Sequence, residues 1–170
     1  MISRQWYIVT GVAILIIVLL LLISVPTVVL SEQNGTIRLL VPLWQEKEFT
    51  VEYMHSVNKT PVQENFIPAP DNKIKLTGTE FRSLGVGTPF LPEEGQLVND
   101  QGVYYLSGIE RYFDRVPFIF LPFTRHTLIA GGERFAFSDY FAAGQIVEVR
   151  MERYTLIHLI QYHIKKGSSL

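Results

Sequence analysis

The sequence predicts a mainly β protein: a small antiparallel β-sandwich or barrel-like domain, preceded by one N-terminal transmembrane helix. An uncharged apolar run fills residues 6–30, and beyond it short apolar segments alternate with turn residues. Successive strands without intervening helices argue against an α/β sheet. The formal net charge of −1 gives no support to binding of nucleic acid or anionic lipid.

The apolar run is longer than the roughly 20 residues that a helix needs to cross a bilayer. It lacks the short apolar core and the small-residue site of a cleaved signal peptide, and the chain has no cysteine for a lipid anchor. Arg4 precedes the run and Glu32 follows it, so the positive-inside tendency places the N-terminus in the cytoplasm. We therefore expect a single-pass cell-membrane protein with a cytoplasmic segment (1–5), a transmembrane anchor (6–30), a linker (31–35) and an extracytoplasmic β domain (36–170).

The β domain is predicted from short segments that are rich in β-branched and aromatic residues and separated by turns. The tail instead brings Leu156, Leu159, Ile160 and Ile164 together at helical spacing, which predicts a short C-terminal helix. The predicted strands lie within residues 36–41, 48–57, 62–67, 73–81, 103–109, 126–132, 134–141 and 145–154.

The segment VEYMHSVNKTPVQENF, residues 51–66, predicts a β-hairpin with polar groups on an apolar face. Alternation places His55 inward and Ser56 outward, and it places Glu64 in phase with apolar neighbours. An unpaired carboxylate there is costly. We expect His55 and Glu64 to bond to each other or to His126, in a structural polar cluster of His55, Ser56, Glu64 and His126. Replacing Glu64 by Gln would then lower stability by about 3 to 5 kcal/mol.

Three separated groups of residues carry a family resemblance: His55-Ser56-Val57 with Pro61-Val62 and Glu64; Ser83-Leu84-Gly85-Val86-Gly87-Thr88-Pro89; and His126-Thr127-Leu128 with Gly144. With these residues, the chain resembles the bacterial family called domain of unknown function 1850, over about Phe49 to Met151. The resemblance implies a setting beside, or fused to, membrane subunits of TRAP transporters of the TAXI type, and it implies no established activity.

Catalysis is the alternative interpretation of the histidines. A serine hydrolase would need His55 to activate Ser56, but adjacent strand residues face opposite sides and the sequence has no G-x-S-x-G elbow. A metal site of His55, Glu64 and His126 is chemically possible, yet no closely spaced pair of ligands supports it. We expect no catalytic residue, metal or other cofactor, and keep a hydrolase or metal-dependent enzyme using His55, Glu64 and His126 as the alternative.

The loop FRSLGVGTPF is the candidate ligand site. Its two glycines allow backbone N–H groups to form a nest for an anion, and Arg82 or Ser83 adds a donor. A bulged turn is the competing interpretation. The candidate ligand-binding residues are Arg82, Ser83, Gly85 and Gly87.

The segment RYFDRVPFIFLPFTRH is the candidate docking surface for a partner or a membrane, because exposed apolar patches mark interaction sites. Packing over the domain's own core is the competing interpretation. With the resemblance, we expect a non-catalytic accessory or binding module of a TRAP-type (TAXI) transport system. It would contact the transporter's membrane subunit or its solute-binding protein. The docking candidates are Phe113, Phe118, Phe120 and Phe123.

Overall fold

The computed structural model describes residues 4–84 and 95–167. The chain divides into two compact units: Met1–Pro26 together with Arg153–Leu170, and Thr27–Glu152. In chain order the helices and strands are α1 (Arg4–Leu22), β1 (Ser24–Glu32), β2 (Ile37–Pro42), β3 (Phe49–Met54), β4 (Pro61–Pro68), β5 (Ile74–Phe81), β6 (Gln96–Asp100), β7 (Val103–Phe113), β8 (Val116–Ile119), β9 (Thr127–Ala130), β10 (Glu133–Ala136), β11 (Ile146–Thr155) and α2 (Leu156–Gly167).

The N-terminal apolar run differs from its prediction. Within residues 4–84 and 95–167, no helix is both long enough and apolar enough to cross a membrane, so the predicted transmembrane helix is wrong. Helix α1 ends at Leu22, and the second part of the run is strand β1. Pro26 cannot continue a helix, and the β-branched residues around it favour a strand. The end of the predicted span and the first two linker residues, Ser31 and Glu32, therefore belong to a sheet, and the rest of the linker forms the turn to β2.

A four-stranded sheet has the order β2-β1-β11-β8. Strand β1 pairs antiparallel with β2, and β8 pairs antiparallel with β11. Val28, Val29 and Leu30 of β1 are fully buried. Pro117 lies in the edge strand β8, where its missing N–H does not break an interior ladder.

A seven-stranded sheet has the order β10-β9-β3-β4-β5-β7-β6, and its paired strands are antiparallel. One hydrophobic cluster draws residues from both sheets, including Val28 and Val149 of the smaller sheet and Val51 and Leu128 of the larger one. The predicted mainly β fold is confirmed as two sheets around a shared core. The predicted C-terminal helix is confirmed as α2.

Candidate functional site: the hairpin end of the seven-stranded sheet

The turn between β3 and β4 is organised by His55. Its Nδ1 accepts hydrogen bonds from the backbone N–H groups of Val57 and Asn58, at 3.2 and 3.1 Å. Its own backbone N–H donates to Thr60 O at 2.8 Å. Strand β3 ends at Met54, so His55 lies outside the strand and the strand alternation does not set its direction. The imidazole therefore holds the turn, and it forms no hydrogen bond with Glu64; Ser56 is exposed.

Glu64 lies on the inner face of the larger sheet, as the alternation predicts. Its register partners are Val51 on β3 and Thr79 on β5, both buried. The Tyr53 hydroxyl donates to Glu64 Oε1 at 3.1 Å. Burial raises the pKa of the Glu64 carboxyl, and the Tyr53 hydrogen bond opposes that rise. Burial, reinforced by the Glu64 charge, also raises the pKa of Tyr53.

His126 is enclosed by aromatic rings. It stacks between Tyr53 and Phe137, with ring centroids 5.2 and 5.4 Å away, and Phe118 meets it edge-on at 5.5 Å. Its Nδ1 lies 2.8 Å from Thr124 Oγ1, which itself donates to Leu121 O at 2.6 Å. Because that hydroxyl proton is already used, we infer that Nδ1–H of a neutral imidazole donates to Thr124. Burial lowers the pKa of His126 to about 4.

Tyr53, and not His55, is the hydrogen-bond partner of Glu64, and the Tyr53 ring stacks on His126. We define the core polar cluster as Tyr53, Glu64, Thr124 and His126. Tyr53 was identifiable in principle, because it shares the inward face with Val51 and a buried tyrosine hydroxyl needs a partner. Its position between Glu64 and His126 depends on β9 pairing with β3, which no local pattern encodes.

The cluster is not arranged for metal binding. In residues 4–84 and 95–167, no group of three or more His, Cys, Asp and Glu side chains is placed to hold a metal ion. His55 caps its own turn, Glu64 is bonded to Tyr53, and His126 is bonded to Thr124. The three groups considered as ligands thus point to three different partners.

The four docking phenylalanines divide between core and surface. Phe118 and Phe120 are buried, and Phe113 packs against the core. Strand β8 turns Phe118 inward and leaves Ile119 outward. Only Phe123, of these four, is exposed, and Lys59 Nζ lies 4.5 Å from its ring centroid. This distance permits a cation–π interaction.

The candidate ligand loop is described only at its start. Arg82 is exposed directly after β5, and Ser83 is half-buried. Gly85 and Gly87 lie outside the described residues.

Strand register brings the separated sequence motifs to one end of the larger sheet. Met54 pairs with Pro61, Val62 with Phe81, and Glu52 with Thr127. The turn after β3, the residues after β5 and the residues before β9 therefore lie at this same end. We call it the hairpin end and define its exposed surface by Val57, Lys59, Arg82, Leu84, Phe123 and Arg125.

The hairpin end combines apolar and basic groups. Val57 is 67% exposed, and Leu84 and Phe123 are each 48% exposed. The three cations, Lys59, Arg82 and Arg125, form no ion pair with a carboxylate in the described part of the chain. Among the residues that the structure describes, this surface therefore combines three cations without a paired carboxylate and exposed apolar area.

Fold and site together define a two-sheet β domain with a neutral histidine in an aromatic enclosure and a basic, apolar end. The chain belongs to the family described as Domain of unknown function (DUF1850), whose model matches residues 49–137. That range begins with β3 and ends at Phe137, so it contains the core polar cluster and the hairpin end. No curated protein and no solved structure matches the chain significantly.

Proposed function

We propose that the β domain is a non-catalytic accessory or binding module of a TRAP-type (TAXI) solute transport system, which docks through the hairpin end. The partner is the transporter's membrane subunit or its solute-binding protein. The family resemblance supports this proposal, because it implies a setting beside, or fused to, membrane subunits of such transporters. A partner that works outside the cytoplasm requires the β domain on that side, so the proposal includes an extracytoplasmic location.

The observation that carries the proposal is the composition of the hairpin end. Exposed aliphatic and aromatic side chains beside arginines are typical of protein interfaces, whereas a solvated surface balances its charges more evenly. Three cations that have no carboxylate partner within residues 4–84 and 95–167 favour a partner whose surface is acidic. The proposed partner surface is therefore apolar at its centre and negatively charged at its rim.

The geometry supports binding over catalysis. A general base must reach the proton that it removes, but His55 Nδ1 already accepts two backbone hydrogen bonds. His126 is enclosed by rings, and burial favours its neutral form. Glu64 is bonded to Tyr53 on the inner face of the sheet. The alternative enzyme would have to assemble these three groups from separate environments.

The test is recovery of transporter subunits with the tagged protein from solubilised membranes. The variant Arg82→Glu/Arg125→Glu reverses two hairpin-end charges. The control Lys47→Glu/Lys73→Glu makes the same charge change before β3 and β5, at the opposite end of the sheet. We expect the first variant to lower recovery about tenfold or more and the control to leave it unchanged, because charge reversal at an interface opposes association. Equal recovery from both variants would contradict docking at this end.

The location is tested separately. The chain has no cysteine, so one introduced cysteine is a unique label. A membrane-impermeant maleimide should label Lys47→Cys in intact cells. Labelling only after the cells are lysed would exclude the extracytoplasmic location.

A further inference from the structure

The outer face of the seven-stranded sheet holds a polar cleft that the proposed docking surface does not use. It has a volume of about 360 Å³, within the range of roughly 300 to 1,000 Å³ that is usual for small-molecule sites. The side chains that line it come from β4, β5, β7 and the segment before β3: Glu48, Asn65, Thr77, Glu80, Tyr105 and Ser107.

Two irregularities of the sheet form the cleft. The register shifts after Asn65 between β4 and β5, and between Leu76 and Gly78 where β5 pairs with β7. Bulges of this kind change the direction of side chains and are frequent beside binding sites. Both shifts fall at Thr77 on β5, next to Gly78, where a Cβ would be 3.0 Å from Leu106 O and 3.9 Å from Asn65 Nδ2. The missing side chain leaves the hollow open beneath the Asn65 amide.

The polar groups of the cleft are oriented and partly unused. Thr50 Oγ1 donates to Asn65 Oδ1 at 2.8 Å, which fixes the amide with its Nδ2 donor beside Gly78. Thr77 Oγ1 donates to Asn65 O at 3.1 Å and keeps its lone pairs. Within the described part of the chain, the side-chain carboxylates of Glu48 and Glu80 have no hydrogen-bond or ion-pair partner, and the hydroxyl of Tyr105 has none.

The polar groups of the cleft indicate which class of ligand it could bind. Two carboxylates without a lining cation disfavour an anion. A fixed amide donor, carboxylate acceptors and hydroxyls match a molecule whose hydroxyl groups both donate and accept. Tyr105 is 41% exposed and offers a ring face to an apolar surface of the ligand. We propose that this cleft binds a neutral sugar.

An adjoining hollow extends the site. Its volume is about 420 Å³, and Glu48 lines both cavities. Thr50 lines the second hollow, and its hydrogen-bond partner Asn65 lines the first cleft. Ile67 and Ile129 give the second hollow an apolar wall. A disaccharide therefore fits the pair of hollows better than a single ring.

The experiment uses the full chain in saturation-transfer NMR and calorimetric titration. The probes are glucose, galactose, mannose, maltose and cellobiose, with spermidine as the cationic competitor. We expect at least one sugar to bind, and a disaccharide to bind more tightly than its monosaccharide. Glu80→Gln and Asn65→Asp keep the side-chain shapes and should each raise the Kd about tenfold, because each alters a ligand hydrogen bond.

The matched control is Glu133→Gln, which removes an exposed carboxylate on β10 outside the cleft. It should leave the Kd unchanged. The melting temperature of each variant verifies that it is folded. The proposal is overturned if no sugar binds, if spermidine binds and the sugars do not, or if sugar binding is insensitive to both cleft variants. None of these outcomes depends on the transporter partner.

Discussion

At the scale of single residues, the two buried ionisable groups next to Tyr53 have opposite pKa changes from the same cause. Burial lowers the pKa of the His126 imidazole and raises that of the Glu64 carboxyl, because it disfavours the charged form of each group. Tyr53 contacts both, by stacking on His126 and by donating to Glu64. The folded state is therefore most stable when Glu64 and His126 are both neutral.

His126 should make the domain sensitive to acid. Its pKa falls from 6.5 to about 4 on folding, so the unfolded chain binds more protons between these values and the free energy of unfolding decreases as pH falls through them. The difference corresponds to about 3 kcal/mol. Between pH 7 and pH 4.5, which is still above the folded pKa, urea denaturation should show about 2 kcal/mol of this loss in the wild type and a smaller loss in His126→Phe. An equal loss of free energy of unfolding in both proteins would show that groups other than His126 cause the acid sensitivity.

Glu64→Gln should leave the domain at least as stable as the wild type at pH 7, opposite to the loss expected from a buried ion pair. The partner of Glu64 is a tyrosine, and the Gln carbonyl can accept the same hydrogen bond. A raised carboxyl pKa contributes stability that is present below the unfolded value and is lost as pH rises through the folded one.

The difference in free energy of unfolding between Glu64→Gln and the wild type should therefore decrease as pH falls towards 4.5, the ordinary pKa of a glutamate carboxyl. Denaturation curves at pH 5, 7 and 8 measure it, with Glu133→Gln as the exposed control. A Gln variant that is less stable than the wild type by more than about 1 kcal/mol at every pH would show that Glu64 has a favourable charged partner.

At the scale of elements, the hairpin turn and strand β1 show two ways in which a local pattern is misleading. His55 continues the alternation of β3 in sequence, but its backbone already belongs to the turn. Strand β1 has the composition of a membrane span, yet its pairing with β2 makes it part of a sheet.

His55→Ala should lower the free energy of unfolding by about 1 to 2 kcal/mol, because two backbone N–H groups lose their acceptor. His55→Asn should recover most of the loss, since an Asn side chain accepts similar turn hydrogen bonds. Chemical denaturation of the two variants compares them. If His55→Ala were as stable as the wild type, the imidazole would have no role in the turn.

Leu30→Ala should destabilise the domain by about 2 to 5 kcal/mol, because Leu30 is fully buried in β1 and pairs with Leu39 on β2. Ile37→Ala on β2 is the control, since Ile37 is 38% exposed. The backbone amides of β1 should also be protected from hydrogen exchange. Unchanged denaturation of Leu30→Ala would exclude β1 from the folded core.

At the scale of the whole molecule, the predictable parts are those that local patterning encodes. Glu64 between Val62 and Phe66 was placed on the correct face, and the helical spacing from Leu156 correctly gave α2. The features that were not predicted depend on contacts between residues far apart in the sequence. Ser31 of β1 is bonded to Arg150 of β11, 119 residues away, and the exposed strand β6 is defined by its pairing with β7. The aromatic enclosure of His126 likewise requires β3, β8 and Phe137 to meet.

Docking of the hairpin end on a transporter component can be tested in cells. The most direct measurement is cross-linking in cells from a single cysteine carrying a photoreactive group, which the cysteine-free chain permits. Val57→Cys places the probe on the hairpin end, and Lys47→Cys places it before β3 at the opposite end. We predict that Val57→Cys cross-links to the membrane subunit or the solute-binding protein and that Lys47→Cys does not. Absence of a cross-link from Val57→Cys, or equal cross-linking from both positions, would contradict docking through the hairpin end.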